Sequence, residues 1–282
     1  MSLNQYQKLN FEDALNSNDM KIYRLFFIFL FLTILSLNSN ASIEVLGSLK
    51  HIENGKPGDV IKGEIKIQNN DNTDQEVKVY QTDLLYNHKD NTFYDNPGSH
   101  KRSNANWIQY SPKSVILKAK EIRTIQYEIT VPKNDTLKGT YWSVLMVEGV
   151  VPIDPTQKGD LSIRTVTRYA IQVVTEIADK GKGSLKFLEP TLLKEGTKLF
   201  LAVDLVNNGD HYIAPDVSIE LFDDKGASVR VIKNPKKGLY PTTSTRFRFD
   251  LEGIPSGKTY QAMIVAAGLD NDVFGLEYTL YF

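Results

Sequence analysis

The sequence predicts an all-β protein: two immunoglobulin-like β-sandwich domains in tandem after a signal peptide. Three observations predict it. Apolar residues alternate with polar ones at period two in short runs, and clusters of Asn, Asp and Gly interrupt those runs at the roughly 8–12-residue spacing of sandwiches. No stretch beyond residue 41 carries a helical period. The length of 282 residues is comfortable for two such domains, and 41% hydrophobic with 24% charged residues is enough to bury a core.

The N-terminal element comes first. Lys21 and Arg24 precede an apolar run over residues 25–35, and Ser39-Asn40-Ala41 supplies the small residues of a signal-peptidase site, so cleavage is expected before Ser42. Residues 1–19 are polar without a targeting pattern, and Met20 stands where a signal peptide would begin. The run of about 13 apolar residues falls short of the roughly 20 a membrane span needs; an uncleaved anchor is the alternative. No second apolar run follows, so the mature chain is expected to have no membrane span and to be exported, to the periplasm or the cell surface.

Domain 1 is expected over residues 42–178. Residues 42–49 alternate as a first strand, and residues 60–68 carry Val60, Ile61, Ile65 and Ile67 before a turn at Asn69-Asn70-Asp71-Asn72. Residues 76–86 follow. In residues 122–131, Ile125, Tyr127, Ile129 and Val131 share one face and Thr124, Gln126, Glu128 and Thr130 the other, the pattern of a half-buried strand. Residues 141–151 are almost wholly apolar, as a central strand would be, and residues 163–177 close the domain. A polar, glycine-containing linker at residues 179–183 separates it from domain 2, residues 184–282. There, strands are expected over 199–206, 217–222, 246–251, 260–267 and 276–282, with turns at Asn207-Asn208-Gly209-Asp210 and Asp223-Asp224-Lys225-Gly226. Both domains open with an alternating strand before an Asn-Asn turn.

Composition narrows the function classes. A net charge of −1 supplies no footprint for nucleic acid, and the absence of cysteine removes disulfides, thiolate metal sites and cysteine nucleophiles together. Gly257-Lys258-Thr259 ends like a phosphate-binding loop, but Gly253 sits one residue too close and no helix follows; Gly253–Gly257 reads as a turn. Asn70–Asp74 has oxygen ligands at alternate positions yet lacks the glycine and glutamate of a calcium loop. The histidines, at 51, 88, 100 and 211, have no partner at metal-ligand spacing, and no serine nucleophile elbow occurs. Catalytic residues, cofactor and metal are accordingly expected to be none. An unrecognised carboxylate pair of a carbohydrate-active enzyme is the third-ranked alternative, since such acids come from distant strands.

The most individual segment is 93–112. It contains Arg102, Asn104, Asn106 and Trp107, a guanidinium, two amides and an indole, which is chemistry suited to a sugar or peptide. The structural reading has Trp107 starting a strand and packing the core while Arg102 and Asn104 fasten the loop; Trp142, within an apolar strand, is expected in the core.

The order of elements over residues 56–178 resembles the N-terminal domain of the bacterial WxL-interacting surface proteins: Pro57-Gly58 before the strand at Val60, Asn69 after it, Ile129-Thr130-Val131-Pro132 before Leu137-Lys138-Gly139-Thr140-Tyr141, and Arg168-Tyr169-Ala170 in the closing strand. The second domain resembles their C-terminal module. The resemblance implies binding of peptidoglycan by the first domain and of host or partner proteins by the second. Those proteins continue into a membrane helix and a basic tail, which this sequence lacks, so their anchoring is not implied. The layout is also similar to that of periplasmic pilus chaperones, which act by strand donation; Ile163, Val166 and Tyr169 depart from strict alternation, and Arg164 or Arg168 could supply one member of their anchoring basic pair. The leading expectation is a non-catalytic envelope scaffold that binds a surface protein or a cell-wall glycan. The alternative is a pilus-type chaperone with a pilus-like subunit as partner.

Overall fold

The structure, a computed structural model, describes residues 42–150, 166–177, 183–268 and 272–282. The expected signal peptide, most of the linker at 179–182, and Ile163 and Arg164 lie outside the described residues.

The first sandwich contains β1 (Ile43–Leu46), β2 (Lys50–Gly55), β3 (Val60–Asn69), β4 (Gln75–Tyr86), β5 (Thr92–Asp95), β6 (Ile108–Ser111), β7 (Ser114–Leu117), β8 (Ile122–Thr130), β9 (Gly139–Val150) and β10 (Arg168–Ile177). One sheet has the order β1-β3-β8-β6; the other runs β2-β10-β9-β4-β5, with β7 also on β4. Alternation fixes which side faces in: Ile125, Tyr127 and Ile129 of β8 are buried and meet Ile65 and Ile67 of β3 and Leu145, Val147, Ile171 and Val173 of the facing sheet.

The second sandwich contains β11 (Leu185–Phe187), β12 (Thr191–Glu195), β13 (Lys198–Asn207), β14 (Asp216–Phe222), β15 (Ser228–Asn234), β16 (Ser244–Asp250), β17 (Thr259–Ala267) and β18 (Val273–Tyr281). Here β13 lies between β16 and the pair β11 and β12, facing a sheet of order β15-β14-β17-β18. Phe247, Phe249, Leu201, Val203, Ile219 and Ile264 fill the space between them. All-β, immunoglobulin-like architecture is what the alternation predicted.

Two expectations change. The strand read over residues 42–49 is broken at Gly47, whose φ of 95° turns the chain out of one sheet and into the other. Beyond the break, β2 runs parallel to β10, with Lys50 opposite Gln172 and Gly55 opposite Ile177. Trp107 does not begin a strand: it ends a short 3-10 helix, Ala105–Trp107, and β6 starts one residue later.

The two Asn-Asn turns share a mechanism. Buried Asn69 donates its side-chain amide to the carbonyls of Thr73, Leu117 and Lys118 and accepts from the Asp71 amide. Buried Asn207 does likewise for the carbonyls of His211 and Leu239 and the Gly209 amide. In each sandwich one carboxamide ties the end of a core strand to a neighbouring loop, satisfying backbone groups that burial would otherwise orphan.

Between the sandwiches lies a third apolar cluster. Leu84, Trp142, Val144, Met146 and Val174, on the outward face of the first sandwich, are covered by Tyr240 of the second, with Tyr80, Tyr86 and Tyr212 around them. A sheet face that would otherwise be wet is thereby converted into core.

Candidate functional site

The site is built where β10 meets the second sandwich. Trp142, fully buried on β9, donates its indole N–H to the Leu84 carbonyl (2.7 Å) and stacks on Tyr240 with centroids 4.5 Å apart and planes 11° from parallel. His100 lies against the indole at 4.4 Å. Tyr240 donates its hydroxyl to Gln172 Oε1 of β10 (2.6 Å), and the Tyr86 hydroxyl donates to the Gly238 carbonyl (2.7 Å). Burial pushes the Tyr86 hydroxyl up to about 12 and raises that of Tyr240 as well, so both are neutral donors at any physiological pH.

At the rim of this stack stands Lys50, the first residue of β2. Its ammonium donates to the Tyr212 hydroxyl (2.7 Å) and lies 4.0 Å from the Tyr212 ring centroid and 5.3 Å from that of Tyr240. Among the described residues no carboxylate pairs with it. This half-buried ammonium is held by ring faces and a hydroxyl.

Directly above Lys50 the edge of β10 opens. β2 covers β10 from Gln172 to Ile177 only, and the Gln172 amide donates to the Leu49 carbonyl (2.8 Å). Successive strand residues direct their backbone groups to opposite sides, so Ala170 and Arg168 aim theirs the same way as Gln172, where no strand lies among the described residues. Their side chains differ in engagement. Arg168 donates to Glu148 (2.7 Å), which also accepts from the Tyr80 hydroxyl (2.7 Å), and these hydrogen bonds hold the Glu148 carboxyl below the usual range.

The loop residues singled out in the sequence are placed as follows. Arg102 donates to the carbonyls of Lys138 (2.9 Å) and Thr140 (3.4 Å) and pairs with Asp210 of the second sandwich, which also binds Lys138 at 2.9 Å. The hydrogen bond from Lys138 and the charge of Arg102 hold the Asp210 carboxyl below its ordinary value. Asn104 is fully buried, donating to the Val173 carbonyl (3.1 Å) and the Thr175 hydroxyl (3.0 Å). Asn106 is exposed against Gly98, and Trp107 is half-buried, its ring 4.7 Å from that of Tyr141. Arg102 therefore ties the start of β9 to the second sandwich, Asn104 ties the loop to β10, and Trp107 packs on Tyr141 of β9. Lys50, Tyr212 and Tyr240 were missed, because their shared location depends on the parallel β2–β10 pairing and on the packing of one sandwich against the other.

More hydrogen bonds and ion pairs close the joint. Thr140 donates its hydroxyl to Glu176 (2.7 Å) and accepts from the Tyr212 amide (2.6 Å); His211 Nδ1 lies 3.2 Å from Glu176; and His88 meets the Ser244 hydroxyl through both its amide (3.0 Å) and Nδ1 (2.9 Å). Among the described residues no cluster of three or more metal-ligating side chains occurs, and no helix is long and apolar enough to cross a membrane.

No protein-family model matches the chain, and no curated protein matches it. Solved structures do. A chain from a chaperone–tip adhesin complex of CFA/I fimbriae biogenesis is similar at 13% identity and a TM-score of 0.46, over 85% of this chain and 98% of that one. The YadV chaperone is similar at 12% identity and 0.44, over 85% and 100%. A chain of the CsuC–CsuE chaperone–tip adhesion subunit complex from the Csu pili of Acinetobacter baumannii is similar at 12% and 0.45, over 83% and 98%. A likeness of this degree concerns the arrangement of strands and not the ligand. Neither the WxL-interacting family nor a wall glycan gains support from these structures.

Proposed function

We propose that this chain binds an extended segment of a partner along the open edge of β10, as a pilus-type chaperone of the periplasm does with a pilus-like subunit. The observation that carries this reading is the adjacency of two features: backbone groups of Arg168 and Ala170 that no strand pairs among the described residues, and Lys50 beside Gln172, where that edge closes, with no carboxylate paired to it among the same residues. Main-chain pairing supplies affinity with little demand on sequence, and a fixed cation at one end sets the register by receiving a carboxylate of the partner. Val166, 44% exposed just before β10, extends the same edge with an apolar side chain. The broader reading, an envelope scaffold that binds a surface protein, uses the same edge and differs only in the partner captured.

The test is Ala170→Pro. The Ala170 amide points away from β9, so proline deletes a donor of the open edge and no hydrogen bond among the described residues. Affinity capture from envelope extract should lose the pilus-like subunit with this variant, while the melting temperature stays within a few degrees of wild type; Lys50→Gln should weaken capture without abolishing it. Undiminished capture by Ala170→Pro refutes the edge as the binding site. Capture of a different surface protein by the wild type moves the assignment to the scaffold reading.

A further inference from the structure

An uncovered sheet edge invites pairing with other chains, and soluble proteins blunt such edges with charges, proline, bulges or short strands. The two edges of the outer sheet in the second sandwich are treated differently. β15 carries Arg230 and Lys233 and faces a register shift between Leu221 and Phe222. β18 has one charge, Glu277, and no other such device: nine residues, VFGLEYTLY, paired with β17 in unbroken register and without proline. Its pairing with β17 continues the bond from the Gly268 amide to the Asp272 carbonyl, so Phe274, Leu276, Tyr278 and Leu280 bond to β17. Val273, Gly275, Glu277, Thr279 and Tyr281 direct their backbone groups outward, where no strand lies among the described residues. Along the core-facing side, Phe274, Leu276 and Tyr278 are only partly buried; on the other, Val273 and Tyr281 are 66% and 68% exposed.

We infer that β18 is a self-association edge, joining antiparallel to β18 of a second copy of this chain about a two-fold axis at Leu276. The register follows from the side chains. Centred there, Val273 faces Thr279 and Gly275 faces Glu277 of the other copy as hydrogen-bonded pairs, giving roughly eight inter-chain bonds. Phe274 faces Tyr278 twice and Leu276 faces its own counterpart, so the half-exposed apolar row closes through aromatic cross-strand pairs. The lone charge, Glu277, faces a glycine. Centred one residue along, Glu277 would oppose Glu277, a like-charge pair that selects against that register. The interface is isologous and closes at two copies, which leaves the β10 edge of each copy free for its own partner.

The experiment uses the exported protein in solution. Sedimentation should give twice the chain mass, and Thr279→Pro, whose lost amide points outward, should give a folded monomer with the β-type circular dichroism of the wild type and a melting temperature that no longer rises with concentration. The chain has no cysteine, so Leu276→Cys supplies a single thiol at the axis, and mild oxidation should convert it to a covalent dimer. Val273→Cys alone should remain uncrosslinked, but mixed with Thr279→Cys it should crosslink. A wild type monomeric at every concentration overturns the inference. So do crosslinking of Val273→Cys alone as complete as that of Leu276→Cys, and crosslinking of Leu276→Cys to a foreign protein in place of its own copy. Failure of Ala170→Pro to alter capture bears on β10 alone and leaves this outcome untouched.

Discussion

Removing the Arg102 guanidinium takes a donor from two carbonyls, those of Lys138 and Thr140, and one of its two cations from Asp210. Arg102→Ala is expected to cost roughly 1–3 kcal/mol in chemical denaturation, because these partly buried groups are left short of partners. Arg102→Lys should recover only part of the loss, since an ammonium cannot span two carbonyls and a carboxylate as the planar fork does. The Asp210 carboxyl titrates below its ordinary 3.8 in the folded chain. A carboxyl lowered on folding contributes stability that is present above 3.8 and disappears as pH falls through the folded value, so the joint should weaken only in strong acid. Urea titrations at descending pH should show Asp210→Asn with a flatter acid limb than wild type. The sequence offered Arg102 and Asn104 as either ligand-binding or loop-fastening residues. Nothing local separates the two, because the carbonyls and carboxylate that engage them are 36 or more positions away.

At the scale of elements, strands with local alternation were readable and strands made by distant pairing were not. β8 shows its two faces in nine residues of sequence. β2, Lys-His-Ile-Glu-Asn-Gly, has no apolar alternation and weak strand propensity, and becomes a strand only because β10, far along the chain, offers it a parallel edge. For the same reason the candidate site was half legible: Arg168 and the closing strand were found, Lys50 was not. One close approach tests how tightly β3 and β8 are matched. Gly63 lies opposite Tyr127, whose ring occupies the space a β-carbon would need before its hydroxyl reaches Glu53 (3.2 Å) and His51 (2.9 Å). Gly63→Ala should therefore destabilise by roughly 1–3 kcal/mol through overpacking, seen as a lower melting temperature. Combining it with Tyr127→Leu should give much less than the sum of the two single losses.

At the scale of the whole molecule, three of the four histidines gather at the joint, facing Asp83, Asp204 and Glu176. Of these, His100 lies against the Trp142 indole. Burial beneath Trp142 lowers its pKa below 6.5, against the pull of Asp83 and Asp95. The sign follows from linkage: the unfolded chain takes up a proton near 6.5 that the folded chain refuses, so stability falls as pH descends from 6.5 toward the lower folded value. Melting temperatures between pH 7.5 and pH 5 should decline for the wild type and decline less for His100→Gln; equal slopes would rule out His100 as the source.

The stack of Trp142 on Tyr240 also gives the molecule an optical gauge. An indole shielded from water and set against a phenol emits at short wavelength, and separating the rings shifts that emission to the red. Only two tryptophans are present, and Trp107 belongs to the first sandwich rather than to the joint. In a Trp107→Phe background, ultraviolet fluorescence would follow a single ring whose surroundings change when one sandwich swings away from the other. Separation of the two halves could then be followed during unfolding or on titration with a candidate partner, without an attached dye and on the timescale of mixing.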